Sequence, residues 1–253
     1  MPKPSETLAH GAPLPCEHCQ KSTAICVCDL IAPGSLSPKT RVLVLQHPQE
    51  PDKELGSARI AHLALKGSVL KTGLSWRNLS AALGEEVSSQ RWGVLYLGTQ
   101  KSSAGVAKPE SKEGGEPCAQ PTDKEVLVLN PRGEARGTTE LDGIVVLDGN
   151  WRQAKALWWR NAWLLKLNRI VLAPKQVSLY GALRREPRLE SVSTLEAIAL
   201  TLGVLEPTMN IRDALLSSFK TFLERCRTTG MRGTQPAPKK DWRRRRGFPR
   251  QSR

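Results

Sequence analysis

The segment 144–163, IVVLDGNWRQAKALWWRNAW, constrains the fold of this chain most, because an apolar run ends abruptly at an acid and a glycine. The residues before Asp148 have the pattern of a buried strand, and Gly149 permits a turn before a helical pattern opens at Trp151. Asp148 is therefore predicted to lie at the carboxyl end of a strand. In open α/β sheets, ligands bind outside those ends, and a helix N-terminus offers free N–H groups to an anion. The structural alternative is that Asp148 only caps the helix.

Short apolar runs alternate with amphipathic helical patterns along the chain. This alternation predicts an α/β domain with a mostly parallel sheet and flanking helices. The predicted strands are 41–46, 93–97, 126–129, 144–148 and 169–173. The predicted helices are 58–67, one that begins at 151, 193–202 and 210–227. The sequence contains neither a Gly-rich dinucleotide fingerprint nor a phosphate-binding loop, which counts against an ordinary nucleotide fold.

Composition divides the chain into several segments. A flexible N-terminus is predicted for 1–15, a metal-binding knuckle for 16–30 and the main domain for 38–228. The main domain contains an insertion near 99–124 that is rich in Gly, Ser, Pro, Lys and Glu, and it is predicted to be flexible. A basic, disordered tail is predicted for 229–253.

The net charge of +14 is concentrated in the tail, where residues 231–253 carry nine Lys or Arg and one Asp. Four consecutive arginines lie between Trp242 and Phe248, a pattern suited to phosphate contacts and base stacking. A disordered solubilising tail is the alternative. The chain has no apolar run long enough to span a bilayer, and the N-terminus lacks the apolar core of a signal peptide. We therefore expect a soluble, cytoplasmic protein without a membrane partner, and no obligate protein partner is evident.

Four of the six cysteines, Cys16, Cys19, Cys26 and Cys28, cluster as C-x2-C-x6-C-x-C. Six cysteines in 253 residues do not make a disulfide scaffold, so the cluster indicates metal binding in a reducing compartment. Four thiolates close a tetrahedral zinc site, which leaves no position for catalysis and makes the metal structural. Two alternatives are open: the thiols cluster by chance, or His18 takes the place of one cysteine as a ligand.

Other candidate residues lie near predicted element ends. His47, Pro48 and Glu50 follow the strand 41–46, so they share an edge with Asp148 if the strands are parallel. A structural histidine is the alternative for His47.

Two helices carry further candidates. Arg59 and His62 are three residues apart on a predicted helix, a geometry suited to a phosphate or a carboxylate, with a solvated helix face as the alternative. Ser193 and Glu196 have the spacing of a capping box, which would explain both residues structurally.

The aromatic residues around the second predicted helix are expected to lie mostly in the core. Trp158, Trp159 and Trp163 follow Trp151 at near-helical spacing. An indole close to Asp148 could instead stack on a base or an adenine ring.

Taken together, these elements resemble the DTW-domain family, the tRNA-uridine aminocarboxypropyltransferases. The resemblance is carried by the four-cysteine knuckle, RVLVLQHPQE, ARIAHLAL, RLESVSTLEAIAL and LDGNWRQAKAL, the last in place of the family's Asp-x-Thr-Trp motif. Asn150 replaces the threonine of that motif, and Ser57 and Ala58 stand where Thr-Gly is expected before Arg59. Asparagine keeps hydrogen-bonding capacity but has a different shape and no β-branch.

The resemblance implies a fold related to SPOUT methyltransferases, in which a C-terminal trefoil knot holds S-adenosylmethionine bent. It implies transfer of the 3-amino-3-carboxypropyl group of S-adenosylmethionine to N3 of a tRNA uridine, with release of 5′-methylthioadenosine. It places Asp148, Asn150 and Trp151 in catalysis and structural zinc on the four cysteines. The residues it assigns to S-adenosylmethionine are His47, Pro48, Glu50, Arg59, Leu147, Gly149, Ser193, Thr194 and Glu196.

The sequence leaves some alternatives open. Asp148 either accepts the uridine N3 proton or holds the amino group or ribose of the donor. A SPOUT-type RNA methyltransferase would use the same pocket and release S-adenosylhomocysteine. A non-enzymatic zinc-containing RNA-binding protein would not bind S-adenosylmethionine.

Overall fold

The computed structural model describes residues 15–95, 125–137, 141–174, 176–184 and 192–231. The predicted N-terminal segment up to residue 14, the insertion near 99–124 and the tail from residue 232 lie outside the described residues. Within the described part, no helix is both long and apolar enough to cross a membrane.

Seven strands form one sheet, mostly parallel as the sequence predicts. Their bounds are β1 Arg41–Gln46, β2 Val69–Thr72, β3 Trp92–Leu95, β4 Val126–Leu129, β5 Ala135–Arg136, β6 Gly143–Asp148 and β7 Asn168–Leu172. The order across the sheet is β2-β1-β6-β3-β7-β4-β5. The first five strands in that order are parallel, and β4 and β5 complete the sheet as antiparallel strands. The strand that ends at Asp148 therefore lies between two parallel neighbours.

Five α-helices flank the sheet in the described residues. They are α1 Ala58–Ala64, α2 Leu79–Leu83, α3 Trp151–Arg160, α4 Thr194–Leu205 and α5 Ile211–Thr228. The predicted helix 58–67 ends early, because Leu65 adopts extended backbone and the chain then turns through Gly67 at φ 72°. The sequence analysis missed β2, β5 and α2, which are too short to show a clear period.

Alternating side chains of the central strands divide the core between the two faces of the sheet. In β1, Val42 and Val44 pack on the face covered by α1, α4 and α5. Leu43 and Leu45 pack on the face covered by α2 and α3. Both faces of the central strands are buried, as is usual for parallel strands between helices.

The tryptophans of α3 and the following turn are less buried than predicted. Trp158 and Trp163 are half-buried against the α2 and α3 side of the core, but Trp159 is 78% exposed. The expectation that most of this aromatic surface is core is therefore wrong for Trp159. Leu157 is fully buried, and a residue two positions later lies about 200° further around the helix, on its outer side.

Candidate functional site

Asp148 lies at the carboxyl end of β6, beside the end of β1, as the sequence predicts. It pairs in register with Gln46, the last residue of β1, and the next amide, His47 N, donates to the Asp148 carbonyl over 3.0 Å. The parallel alignment brings the loop that follows β1 to the same edge of the sheet. Only 6% of the Asp148 surface is exposed.

Both carboxylate oxygens of Asp148 accept hydrogen bonds from neighbouring elements. Gln46 Nε2 donates to Oδ2 over 2.9 Å, and Thr194 Oγ1 donates to Oδ1 over 2.5 Å. Thr72 Oγ1 at the end of β2 donates to Gln46 Oε1 over 3.2 Å, which turns the amide nitrogen of Gln46 toward Asp148. The orientation of the carboxylate is therefore set by three other elements.

The sequence analysis missed Gln46 and Thr72. Gln46 is 4% exposed and ends the strand directly after four apolar residues. A buried polar residue in that position is the signal that could have identified it, because such groups need a hydrogen-bond partner.

The surroundings of Asp148 oppose its ionisation. Burial raises the pKa of Asp148 above its ordinary value, and the negative charge of Glu50 acts in the same direction. The hydrogen bonds from Thr194 and Gln46, together with the charge of Arg184, counteract this rise. The result is a carboxylate of greater basicity than a solvated aspartate.

Asn150 caps α3, so the alternative that Asp148 is the helix cap is wrong. Asn150 Oδ1 accepts from the amides of Arg152 at 3.0 Å and Gln153 at 3.1 Å, and Gln153 Oε1 accepts from Asn150 N at 2.7 Å. The strand continues through Asp148, and Gly149 makes the bend. A Cβ at Gly149 would lie 2.8 Å from the Gln153 Cβ, so the close approach of strand end and helix requires glycine.

The loop after β1 is tied to α3 through Gln153. Glu50 is buried and forms an ion pair with Lys53, whose Nζ lies 3.5 Å from Gln153 Oε1. Gln153 Nε2 also donates to Gln49 Oε1 over 3.3 Å. His47 is half-buried, and its Nδ1 accepts from the Gln49 amide within the same turn over 3.2 Å. Pro48 is exposed.

The capping box predicted at α4 is confirmed. Ser193 Oγ accepts from the Glu196 amide at 3.1 Å, and Glu196 Oε2 accepts from the Ser193 amide at 2.8 Å. The buried Glu196 carboxylate also accepts from Ser178 Oγ at 2.8 Å and from the Leu179 amide at 2.7 Å. The same carboxylate thus holds the helix and the preceding loop together.

Of the three residues considered in and just before α1, only Ser57 contacts a neighbouring element of the site. Ser57 Oγ accepts from the Leu195 amide over 3.3 Å, which joins α1 to the start of α4. Arg59 is half-buried and forms no hydrogen bond or ion pair with another described residue. His62 points to the turn after α1, where its Nδ1 lies 2.8 Å from Ser68 Oγ. Burial and the charge of Arg59 lower the pKa of His62.

The four predicted metal ligands come together. Their sulfur atoms all lie within 4.8 Å of one another, with Cys16 and Cys28 at 3.9 Å and Cys19 and Cys26 at 3.6 Å. A tetrahedral site with metal–sulfur distances of about 2.3 Å requires sulfur atoms about 3.8 Å apart. The geometry of the cluster is therefore suited to one metal ion, and the exposed His18 is not part of it.

The cysteine knuckle packs against the loop after β1 on one side and against α5 on the other. Lys21 Nζ donates to the Lys53 carbonyl at 2.8 Å and to the Glu54 carbonyl at 2.6 Å, and burial lowers the pKa of Lys21 to about 8. On the other side, Arg225 of α5 donates to the Cys26 carbonyl and forms an ion pair with Asp29 at 2.7 Å. The four-cysteine cluster is thus joined to the loop that carries Glu50.

A family model described as DTW domain matches residues 14–227. The tRNA-uridine aminocarboxypropyltransferase 2 of Macaca fascicularis is 25% identical over 209 residues, 79% of this chain and 59% of the relative. The Drosophila melanogaster protein of the same name is 24% identical over 212 residues, 81% of this chain and 72% of the relative. The Arabidopsis thaliana tRNA-uridine aminocarboxypropyltransferase A is 25% identical over 246 residues, 91% of this chain and 87% of the relative.

The chain spans less than two thirds of the length of the mammalian relatives it matches. No solved structure matches it significantly. The matched region nevertheless includes all four clustered cysteines, the loop after β1, Asp148 with its capped helix, and the start of α4. Because the family model covers most of the sequence, this chain belongs to the DTW-domain family.

Proposed function

We propose that this protein is a tRNA-uridine aminocarboxypropyltransferase. In this reaction the 3-amino-3-carboxypropyl group of S-adenosylmethionine moves to N3 of a uridine, and 5′-methylthioadenosine is released. The observation that carries the proposal is the buried, hydrogen-bonded Asp148 within a domain whose curated relatives bear this activity in their names. Because S-adenosylmethionine has three electrophilic carbons at its sulfonium, the position of the reactants decides which group is transferred.

Asp148 is assigned the role of the base. The bond from uridine N3 to the aminocarboxypropyl carbon forms as the carbon–sulfur bond breaks, the bonding electron pair stays on sulfur, and the N3 proton passes to the carboxylate. Burial raises the pKa of Asp148, which suits a group that must accept a proton from a weak acid near neutral pH. Each carboxylate oxygen keeps a lone pair free beside the hydrogen bond it already accepts.

Gln46 and Thr194 position the base. They approach opposite oxygens of the carboxylate and leave it little rotational freedom. A fixed carboxylate lowers the entropy that must be lost before proton transfer. Asn150 and Trp151 lie at the start of α3 beside this group, and we assign them to orientation of the uridine or the donor.

The donor pocket is assigned to the edge of the sheet around Asp148. Support comes from the Gln46 and His47 contacts, which bring the loop after β1 to this edge, and from Thr194, which brings the start of α4. The residues assigned to S-adenosylmethionine are His47, Pro48, Glu50, Arg59, Leu147, Gly149, Ser193, Thr194 and Glu196. Ser193 and Glu196 act through the shape of the α4 start, because their side-chain oxygens are engaged within the protein.

Zinc is the metal proposed for the four-cysteine cluster, in a structural role. Four thiolates at tetrahedral spacing form a closed site with no free coordination position. We expect about one zinc per chain by elemental analysis, and we expect chelation to lower thermal stability. A metal-free protein of unchanged stability would refute the structural role.

The proposal includes a fold related to SPOUT methyltransferases with a C-terminal knot. The mostly parallel sheet, in which β6 lies between β1 and β3, supports the relationship. An experimental structure that traces the chain from β7 to α4 would decide whether a knot is present.

The reaction is tested by incubation of purified protein with S-adenosylmethionine and tRNA. Mass spectrometry should detect aminocarboxypropyl-uridine together with 5′-methylthioadenosine. A methylated nucleoside with S-adenosylhomocysteine would identify a methyltransferase instead. A protein that binds tRNA but does not bind S-adenosylmethionine would be a non-enzymatic RNA-binding protein.

A further inference from the structure

Helix α3 presents an exposed face that the core does not use. Arg152, Lys155 and Trp159 are all exposed and follow one another at intervals of three and four residues, so they lie on one side of the helix. We call these three residues the α3 outer face. They extend about 10 Å along the helix axis. Trp159 is 78% exposed and is the one aromatic among the large apolar side chains that the described residues leave exposed.

The α3 outer face carries positive charge without acidic neighbours in sequence. Between Asp148 and Glu186 the chain contains no Asp or Glu. Neither Arg152 nor Lys155 forms an ion pair with an acidic residue in the described part of the chain. Exposed cations without counter-charges attract a polyanion, and the exposed indole one turn beyond Lys155 offers a stacking surface.

The position of this face connects it to the proposed reaction. Helix α3 begins three residues after Asp148, and Arg152 lies in its first turn. A molecule bound along the face would therefore extend to the edge of the sheet where Asp148 lies.

We propose that the α3 outer face binds the RNA strand next to the uridine that is modified. Arg152 and Lys155 contact phosphates, and Trp159 stacks on an unpaired base. This inference rests on the proposed function. Charge complementarity favours RNA over a protein partner, because the cations of this face have no acidic counter-charge and RNA supplies a phosphate at every nucleotide.

The test measures the dissociation constant for tRNA, without S-adenosylmethionine, over a series of salt concentrations. The charge-reversal variant R152E/K155E should bind at least about tenfold more weakly, with a salt slope reduced by about 1 for each lost phosphate contact. Trp159→Ala should also bind about tenfold more weakly but keep its salt slope, because stacking is not ionic. Trp159→Phe should recover most of the affinity.

Matched controls are available on other surfaces. Lys220 is exposed on α5, which covers the opposite face of the sheet, and Val177 is 65% exposed outside any helix or strand. Lys220→Glu and Val177→Ala should leave tRNA affinity unchanged. Circular dichroism and the melting temperature confirm that each variant is folded.

The possible outcomes separate this inference from the proposed function. If wild-type protein forms aminocarboxypropyl-uridine but R152E/K155E and Trp159→Ala bind tRNA like wild type, the surface assignment is wrong and the function stands. If the variants lose tRNA binding but wild-type protein forms no such product, the surface assignment stands and the function is wrong. Absence of tRNA binding by wild-type protein would overturn the surface assignment.

Discussion

Two helices begin beside Asp148, and each begins with a capping box, but the two boxes are built from different groups. The α3 box consists of the neutral amides of Asn150 and Gln153. The α4 box consists of Ser193 and the carboxylate of Glu196, which is buried and also accepts hydrogen bonds from residues 178 and 179. Both boxes reach a distant segment, but by contacts of different length. Gln153 lies 3.3 and 3.5 Å from Gln49 and Lys53 of the loop after β1, whereas the Glu196 carboxylate accepts from residues 178 and 179 over 2.8 and 2.7 Å.

The two helix starts also differ in their relation to the reactive carboxylate. Thr194, the first residue of α4, donates directly to Asp148, whereas the side chain of Asn150 is engaged with its own helix. Asparagine and threonine are both good cap residues. The asparagine at position 150, where the resemblance predicts threonine, therefore still caps α3, and the orientation of Asp148 depends on Thr194 and Gln46 rather than on this cap.

The largest expected effect comes from substitution of Asp148, which accepts a hydrogen bond from Thr194 of α4 and lies three residues before α3. Asp148→Asn removes the proton acceptor with little change of shape, so product formation should fall about 10²-fold to 10⁴-fold. Affinity for S-adenosylmethionine should stay near normal, as measured by calorimetry. A large loss of donor affinity would assign Asp148 to donor binding, and product formation within tenfold of wild type would exclude both roles.

The second effect tests whether the α4 box has the wider structural role. Glu196→Ala removes the acceptor of three donors in a buried region and should lower the free energy of unfolding by about 3 kcal/mol. Urea denaturation measures this change. Glu224→Ala, at an exposed position of α5, is the control and should change the stability by less than about 0.5 kcal/mol. If Glu196→Ala lowered the free energy of unfolding no more than Glu224→Ala does, the α4 box would not have the wider structural role.

The third effect concerns the pH dependence of the reaction. A base must be ionised, so activity should rise with pH through the pKa of Asp148, which burial places above the ordinary value of about 3.9. The Thr194 hydrogen bond lowers this pKa, so Thr194→Val should move the rise in activity to higher pH. Single-turnover rates against pH provide the measurement.

A control for that shift is available in the same network. Thr72 reaches Asp148 only through Gln46, so Thr72→Val should move the profile less than Thr194→Val does. Identical profiles for wild type and Thr194→Val would show that Thr194 does not tune the carboxylate.

The smallest effect concerns the α3 box. Asn150→Ala should lower the free energy of unfolding by about 1 kcal/mol, whereas Asn150→Thr should change it by only a few tenths. Thermal or urea unfolding measures both. A loss of stability for Asn150→Thr as large as that for Asn150→Ala would mean that threonine cannot replace asparagine as the cap of α3.

Features that depend on neighbouring residues were predictable from the sequence. The four cysteines lie within residues 16–28, so their spacing alone predicted the cluster. The capping box of Ser193 and Glu196 likewise depends on residues three apart. The apolar run before Asp148 and the glycine after it predicted the strand end and the turn.

Features that depend on distant parts of the chain were decided by the tertiary structure. Asp148 accepts from Gln46 and Thr194, and Thr72 orients Gln46. These contacts form only because β2, β1 and β6 are parallel neighbours and α4 packs at their ends. The exposure of Trp159 follows from which side of α3 faces the sheet. The sequence by itself determined the local elements and the four-cysteine cluster, because those depend on short-range spacing. The hydrogen bonds that orient Asp148 and the burial that raises its pKa form only in the folded protein, because they come from segments that are distant in the sequence.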